Sequence, residues 1–261
     1  MIVSNARKFV FVHIPKCAGT TVREALIGYD DTDGTFNAGK ARDTEAGPVD
    51  FRHLPLRQLN EWYPDECAKL ETYWSFSICR DPFDRFPSAM AQRLKMYRGV
   101  EIAQIGDGDL HREIDAVMAY LRGEPGVIEA GFIHFARQAD YIDLDGRRMV
   151  KALFPIDGMA DLGARLSAHI GEPVDFGGGK NRTSVFRHGG LRGPVMAAKQ
   201  VAAMLLPRQA QARLRQTARG MLMKPMVEEV PAAFRSDTVR DFIEEYYKDD
   251  IRLFAEAKAP R

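Results

Sequence analysis

The sequence has few cysteines and no long apolar run, and both shortages narrow the class of protein. Its three cysteines, Cys17, Cys67 and Cys79, include no Cys-x-x-Cys pair, which argues against a disulfide framework and against a zinc site. It has no run of ~18 apolar residues, and the N-terminus lacks the apolar region of a signal peptide. We therefore expect a soluble, cytoplasmic protein. Its 261 residues with 45% hydrophobic content predict one large globular domain.

Acidic residues are absent from Phe176 to Val227, although the formal net charge of the chain is only +1. The near-neutral total gives no reason to expect nucleic-acid binding. Two interpretations of the basic segment stay open: contact with an anionic glycan or acidic membrane surface, or the solvated face of an amphipathic helix. The lack of acids slightly favours an anionic partner. The basic residues are Lys180, Arg182, Arg187, Arg192, Lys199, Arg208, Arg213, Arg215, Arg219 and Lys224.

The segment "FVFVHIPKCAGTTVREAL", residues 9–26, predicts a buried strand, a turn and a helix. The strand covers 9–13, where an apolar run leads into a Pro/Gly turn. Thr20 or Thr21 is expected to cap the helix, because Glu24 follows Thr21 in capping-box register. This strand-loop-helix order is that of a phosphate loop.

Several residues of the same loop suit an anion. The first N–H groups of a helix and its dipole attract negative charge, and Gly19 allows close approach to the backbone. Lys16 adds a positive charge, and Thr20 and Thr21 add hydroxyl donors. The Walker order Gly-Lys-(Ser/Thr) is missing, because Lys16 precedes the glycine. The alternative is a plain strand-to-helix turn with a surface lysine.

A second strand-loop-helix unit follows in "TYWSFSICRDPFDRFPSAM". Residues 72–79 predict a strand rich in aromatic and apolar residues, and Pro82 suits the first turn of a helix. Both units place polar residues after a strand. Ligands of open α/β sheets bind at the carboxyl ends of the strands, so the two loops predict one site.

Arg80 and Ser88 are the candidate ligands of the second unit. The planar guanidinium of an arginine can hold two phosphate oxygens at once. An alternative role for Arg80 is a structural ion pair with Asp81 or Asp84.

Together, "HIPKCAGTT" and "CRDPFDRFPSAM" resemble the two cofactor motifs of sulfotransferases that use 3′-phosphoadenosine 5′-phosphosulfate (PAPS), especially the carbohydrate branch. The resemblance implies an α/β fold, a single P-loop-like domain over residues 1–261 with a central parallel sheet flanked by helices. It also implies that the first loop holds the 5′-phosphosulfate and the second the 3′-phosphate. The residues so implied are Pro15, Lys16, Cys17, Ala18, Gly19, Thr20 and Thr21 for the 5′ end, and Arg80 and Ser88 for the 3′ end.

Other parts of the chain agree with this family more loosely. "NRTS" is similar to a nucleotide-proximal element of the family, which implies roles for Asn181, Thr183 and Ser184. A C-terminal pattern "YxxDxxLF" is matched by Tyr247, Asp250, Leu253 and Phe254. Two departures stand out: Met90 replaces a usual aromatic residue, and Pro87 is expected to interrupt the second helix and shift Ser88.

The resemblance also implies the chemistry. Lys16 is expected to stabilise charge on the departing oxygen during in-line transfer of a sulfonate group. His53 lies between the two motifs, where related enzymes carry a histidine base; a histidine packed at a loop edge is the alternative, and His134 and Asp50 are reserves. No metal is expected. The acceptor is a hydroxyl, or less favourably an amine, on a glycan, lipid or small molecule.

Two rival functions remain at this stage. A P-loop nucleotide kinase or hydrolase lacks support because neither Gly-Lys-(Ser/Thr) nor a clear magnesium aspartate is present. The other rival is a non-catalytic nucleotide-binding protein. Acceptor specificity is expected to lie in a flexible loop at 30–50, the 98–138 region and a basic helical insertion at 187–230.

The rest of the chain predicts further elements from periodicity and turn chemistry. They are helices around 111–122, 128–138, 159–170 ended by Gly171, and 237–257 started by Ser236 or Asp237, and a hairpin about Asp145-Gly146 with a type I′ turn.

Overall fold

The computed structural model describes residues 1–37, 42–44, 47–176, 184–186, 223–225 and 230–259. Contacts divide the chain into two compact units: Met1–Gly178 with Val230–Arg261, and Gly179–Glu229. The single domain over 1–261 therefore stays a prediction. The predicted basic insertion at 187–230 lies outside the described residues apart from 223–225 and Val230.

The strands of the described chain are short and most are paired within the first unit. They are β1 (Ile2–Ser4), β2 (Phe9–Val12), β3 (Arg42–Thr44), β4 (Gly47–Val49), β5 (Trp74–Cys79), β6 (Asp143–Leu144), β7 (Arg147–Arg148), β8 (Ala152–Pro155), β9 (Ser184–Phe186) and β10 (Met223–Pro225). In the second unit, β9 pairs with β10 in antiparallel register.

Eight α-helices are found in the described residues. They are α1 (Gly19–Leu26), α2 (Leu56–Trp62), α3 (Pro64–Thr72), α4 (Pro82–Arg93), α5 (Asp107–Arg122), α6 (Met159–Ile170), α7 (Asp237–Tyr246) and α8 (Lys248–Lys258). Helix α4 continues into a π-helical turn, Leu94–Arg98.

A four-stranded sheet in the order β1-β2-β5-β8 forms the centre of the first unit. β2, β5 and β8 are parallel, whereas the edge strand β1 is antiparallel to β2. All four residues of β2 are buried, as expected for a parallel strand covered on both faces. The predicted α/β class is confirmed, with a mostly parallel sheet instead of a purely parallel one. The parallel register brings the ends of β2 and β5 to one edge.

A second apolar core lies among α4, α5 and α7. Phe86 and Met90 of α4 pack there with Leu121 of α5 and Phe242 of α7, all nearly inaccessible to solvent. This core holds α4 against the remainder of the unit, so the helix that carries Ser88 has a fixed position.

Some local predictions are confirmed. The hairpin β6–β7 turns at Asp145 and Gly146, both with positive φ of 50° and 76°, as a type I′ turn requires. Pro82 lies in the first turn of α4. Gly171 ends α6 with φ of 84°, because glycine adopts this left-handed conformation without steric cost.

Other local predictions are wrong. Residues 128–138 form irregular backbone with one 3₁₀ turn, Ile133–Phe135, in place of a helix. The last helix is divided at Tyr247, which has φ −104° and ψ 23°, into α7 and α8. Pro87 does not interrupt α4, which runs through it to Arg93. In the predicted 30–50 loop, β3 and β4 pair as a hairpin.

Candidate active site

The loop between β2 and α1 has the backbone of an anion-binding turn. Lys16 and Ala18 are left-handed, with φ of 64° and 62°, a conformation that costs a non-glycine residue ~1–3 kcal/mol. Left-handed residues alternating with ordinary ones turn successive N–H groups toward one concave side, which binds anions. The conformation therefore supports the predicted anion site.

Helix α1 starts at Gly19 without a side-chain cap from any described residue. The predicted threonine capping box is wrong, because Ala18 occupies the N-cap position and accepts a hydrogen bond from Thr21 N at 3.0 Å. An uncapped helix start has N–H groups that can bind a negative ligand.

Position 19 has room only for glycine, because the ring of His13 packs against it. A Cβ on residue 19 would lie 2.0 Å from Cδ2 and 2.2 Å from Nε2 of His13. The ring of His13 is held in place by stacking on Phe11 and by contact with His53, with centroids 5.8 and 4.4 Å apart. The ring of His13 therefore packs against the first residue of α1.

Lys16 is half-buried beside α4. Its Nζ donates to Oε1 of Gln92 at 3.4 Å. Burial lowers the pKa of Lys16 to about 8, and the positive charge of Arg80 acts in the same direction. A bound anion would reverse this effect, because an opposite charge favours the protonated amine.

Arg80 lies next to the loop that carries Lys16, because β2 and β5 are adjacent parallel strands. Its Nη1 donates to the carbonyl of Lys16 at 3.5 Å. Within the described part of the chain Arg80 has no carboxylate partner, so the alternative ion pair does not form there. Asp81 instead caps α4 by accepting from Phe83 N at 2.9 Å. Ser88 is half-buried on α4.

Three histidines form an edge-to-face row at this site. The rings of His13 and His53 are 4.4 Å apart, and those of His53 and His134 are 5.5 Å apart. Burial lowers the pKa of His53 to about 3, with a further effect from His134. Burial and then the charge of Lys16 lower the pKa of His134 to about 4. Both rings are therefore neutral at physiological pH.

The tautomer of His53 follows from its hydrogen bond. Nδ1 lies 3.2 Å from the carbonyl of His13, and a carbonyl only accepts, so Nδ1 carries the proton. The lone pair of neutral His53 is then on Nε2. The reserve candidate Asp50 is committed to Arg52, whose Nε and Nη2 donate to it at 2.9 and 2.6 Å.

A buried polar cluster joins the site to the last helix. Arg85 of α4 donates from Nε to Pro15 O at 3.1 Å and from Nη2 to Ala136 O at 2.6 Å. Its Nη1 lies 3.8 Å from Oδ2 of Asp250 on α8. Burial raises the pKa of Asp250 to about 6 although Arg85 opposes this change, so the carboxyl is ionised at neutral pH.

The comparisons with known proteins agree with these features. Residues 1–109 match the sequence profile of the Sulfotransferase family. Over these residues, which are less than half of the chain, the sequence is therefore similar to the sulfotransferase family. The match includes β2, the Lys16 loop, β5, Arg80 and α4. No curated protein and no solved structure gives a significant match.

Other residues predicted for a sulfotransferase site lie outside this description. Asn181 and Thr183 are not among the described residues, and Ser184 is described only as the first residue of β9. In the described ranges, no cluster of three His, Cys, Asp or Glu residues could hold a metal ion. None of the helices described there is both long and apolar enough to cross a membrane.

The sequence analysis assigned no role to Arg85 and Gln138 and matched Asp250 only to a C-terminal family pattern, yet these three residues organise the site. Arg85 is 2% exposed and the other two 0%. A signal was present for Asp250, which lies between Tyr247 and Leu253 on an apolar stripe, because a charged residue at such a position is almost always paired. Gln138 is the last residue of the predicted 128–138 helix, which does not form, so the pattern gave no reason to single it out.

Proposed function

We propose that this protein is a sulfotransferase that transfers a sulfonate group from PAPS to an acceptor hydroxyl. The observation that carries the proposal is the pair of cations Lys16 and Arg80 at the ends of adjacent strands, inside the residues that match the family. PAPS when bound supplies an activated sulfonate, whose transfer leaves negative charge on the bridging oxygen.

The two loops divide the work of binding. The loop Pro15 to Thr21 forms a P-loop-like cradle for the 5′-phosphosulfate, in which residues 16–20 present backbone N–H groups, Lys16 its ammonium, and Thr20 and Thr21 their hydroxyls. Arg80 and Ser88 hold the 3′-phosphate, and Asn181, Thr183 and Ser184 contact the nucleotide. Because the two cations offset the charge of the donor, we expect no metal requirement.

Lys16 has a catalytic role in this proposal as well as a binding role. Its ammonium is half-buried, where a charge interaction is stronger than in water. Stabilisation of the departing oxygen grows as negative charge develops on it, so Lys16 acts most strongly in the transition state.

His53 accepts the proton of the attacking hydroxyl in this mechanism. Its neutral form, required for this role, is favoured by its low pKa, and a bound anionic donor would raise that pKa and make the ring a stronger base. The proton goes to Nε2, because Nδ1–H is held by the carbonyl of His13. His134, whose ring is 5.5 Å from that of His53, is the reserve candidate.

The acceptor is a hydroxyl compound, and we propose a glycan, a lipid or a small molecule. Residues 180–224 would attract an anionic glycan or membrane surface. A cytoplasmic location is supported by the free thiols of the three cysteines, which match a reducing compartment.

A thermal-shift assay with nucleotides tests the donor. Adenosine 3′,5′-bisphosphate, the product of PAPS, should raise the melting temperature, since ligand at 100 times Kd adds ~2.7 kcal/mol of stability. Tighter binding of ATP with magnesium would contradict the proposal and favour a kinase or hydrolase. Transfer of labelled sulfonate from PAPS across an acceptor panel then tests catalysis. Bisphosphate binding without transfer to any acceptor would leave a nucleotide-binding protein.

A further inference from the structure

Gln138 is a fully buried side chain with both ends bound to one residue of the site. Its exposure is 0%. Its Oε1 accepts from the backbone N–H of Arg80 at 2.9 Å, and its Nε2 donates to the carbonyl of Arg80 at 2.8 Å. The side-chain amide thus pairs with the backbone of Arg80 as a neighbouring strand would.

Arg80 needs this pairing because it is the first residue beyond the sheet. The ladder between β5 and β8 ends at Cys79 and Pro155, and the backbone groups of a partly buried turn must find other partners. A planar amide with one acceptor and one donor fixes both groups at once. It therefore also fixes the direction in which the Arg80 side chain leaves the backbone.

The same oxygen reaches the first loop. Sγ of Cys17 donates to Oε1 of Gln138 at 3.3 Å, and Cys17 is the residue after Lys16. One buried amide thus contacts both loops that are proposed to bind the donor.

Gln138 is itself held in place from α8. Its backbone N–H donates to Oδ2 of Asp250 at 2.8 Å, and the N–H of Ala139 donates to Oδ1 at 2.9 Å. The carboxylate of Asp250 accepts both bonds, so the backbone that carries the amide has a fixed place.

We propose that Gln138 is a positioning residue that aims Arg80 at the 3′-phosphate of the donor and so provides selectivity for a 3′-phosphorylated nucleotide. This inference rests on the proposed function, in which Arg80 holds that phosphate. Gln138 acts through Arg80 and contacts no reacting atom.

Binding of two nucleotides separates this role from a general structural one. The measurement is the ratio of the Kd for adenosine 5′-monophosphate to the Kd for adenosine 3′,5′-bisphosphate, by calorimetry with the full chain. In Gln138→Leu the ratio should fall about tenfold, because charge-assisted bonds to the 3′-phosphate are lost while the 5′ contacts remain. An equal loss of affinity for both nucleotides would overturn the inference.

Gln58→Leu is the matched control. Gln58 is also a buried glutamine, 5% exposed, and its Nε2 donates to Gly126 O at 3.1 Å. Its replacement should leave the ratio unchanged, and a similar fall there would overturn the inference. A wild-type protein without preference for the bisphosphate would instead overturn the proposed function, whereas a preference retained in Gln138→Leu would overturn only this inference.

Gln138→Glu gives a second test with a pH signature. An ionised carboxylate cannot donate to the carbonyl of Arg80, whereas a protonated one can donate to it and accept from the N–H. The binding ratio of this variant, divided by that of wild type at the same pH, should therefore rise as the pH falls. A relative ratio that does not change with pH would overturn the inference. This test applies even if Gln138→Leu does not fold.

Discussion

Lys16 has two unusual properties at the residue scale: a left-handed backbone and a half-buried ammonium. A left-handed lysine is held against its own preference, so the surrounding structure must impose this conformation. Lys8 at the other end of β2 is also left-handed, with φ of 54°, but it is exposed. Its Nζ donates to Tyr73 OH at 3.2 Å. The two lysines share the left-handed conformation but lie before and after β2, so Lys8 is a suitable control for Lys16.

Lys16→Ala should lower the rate of sulfonate transfer ~10²- to 10³-fold, because stabilisation of the departing oxygen is lost. The fold should persist, as measured by circular dichroism and melting temperature. Lys8→Ala, with the same change at a left-handed position, should leave the rate unchanged. Unaltered turnover in Lys16→Ala would remove Lys16 from the mechanism.

His53→Ala should lower turnover ~10²- to 10⁴-fold, the usual contribution of a general base, while the Kd for adenosine 3′,5′-bisphosphate changes little. Steady-state kinetics and calorimetry measure the two quantities separately. His111→Ala, at an exposed position on α5, is the control and should alter neither. If His134→Ala has the large effect and His53→Ala does not, the base is His134.

Gly19→Ala should destabilise the fold by ~1–3 kcal/mol, the cost of overpacking a filled site, because the new Cβ collides with the ring of His13. Urea unfolding measures the change. Gly28→Ala is the control, since a Cβ there meets no atom within 4 Å. Equal effects of the two substitutions would show that the contact with His13 is not tight.

The site at the element scale depends on how α4 and α8 are fixed to the edge of the sheet. Arg85 on α4 bonds to the loop before α1 and to the segment before β6. Asp250 on α8 accepts from the same segment and faces Arg85. A charge buried to this degree is tolerated only with a partner, so the two helices are held in one arrangement.

Asp250→Asn should cost ~3–5 kcal/mol, because it leaves the buried Arg85 without its countercharge. The NH₂ group of the new asparagine would also face a backbone N–H, so one of the two hydrogen bonds to residue 250 would be lost. Asp249→Asn is the neighbouring control. Asp249 pairs with Arg252 at 3.2 Å on the surface, so its loss should cost under ~1 kcal/mol. Urea titrations measure both, and comparable losses would contradict a structural role for the buried pair.

For the whole molecule, burying neutral histidines couples stability to pH. His13, His53 and His134 all have a pKa below the ordinary value because they are buried. Between the two pKa values of such a group, the unfolded chain binds more protons than the folded one, so stability falls as the pH falls. The carboxyl of Asp250, with a pKa raised by burial, acts in the opposite direction.

A comparison of variants isolates one histidine. His134 titrates near 6.5 when unfolded and at about 4 when folded, so wild type loses stability through this group as the pH falls from 6.5 to 4. His134→Gln should reduce the slope of unfolding free energy against pH by up to ~1.4 kcal/mol per pH unit. An unchanged slope in His134→Gln would mean that folding does not lower the pKa of this ring.

The sequence by itself determined the elements whose cause is local. The apolar runs around β2 and β5, the proline that starts α4, the glycine that ends α6 and the turn of β6–β7 all follow from residues within a few positions of one another. It also determined the order strand, loop, helix around Lys16 and Arg80. The predicted helix at 128–138 and the threonine cap were wrong because packing and the left-handed Ala18 override local preference there.

Only the tertiary structure decided how the site is assembled. Gln138 and Arg80 are 58 residues apart, and their pairing depends on where the sheet ladder ends, which no local pattern encodes. The neutral state of His53 depends on burial by distant segments, and burial is a property of the whole unit. Local residue preferences therefore fixed the order of strand, loop and helix in both units, while sheet register, long-range hydrogen bonds and desolvation fixed the conformation of the two loops, the distance between them and the charge of their residues.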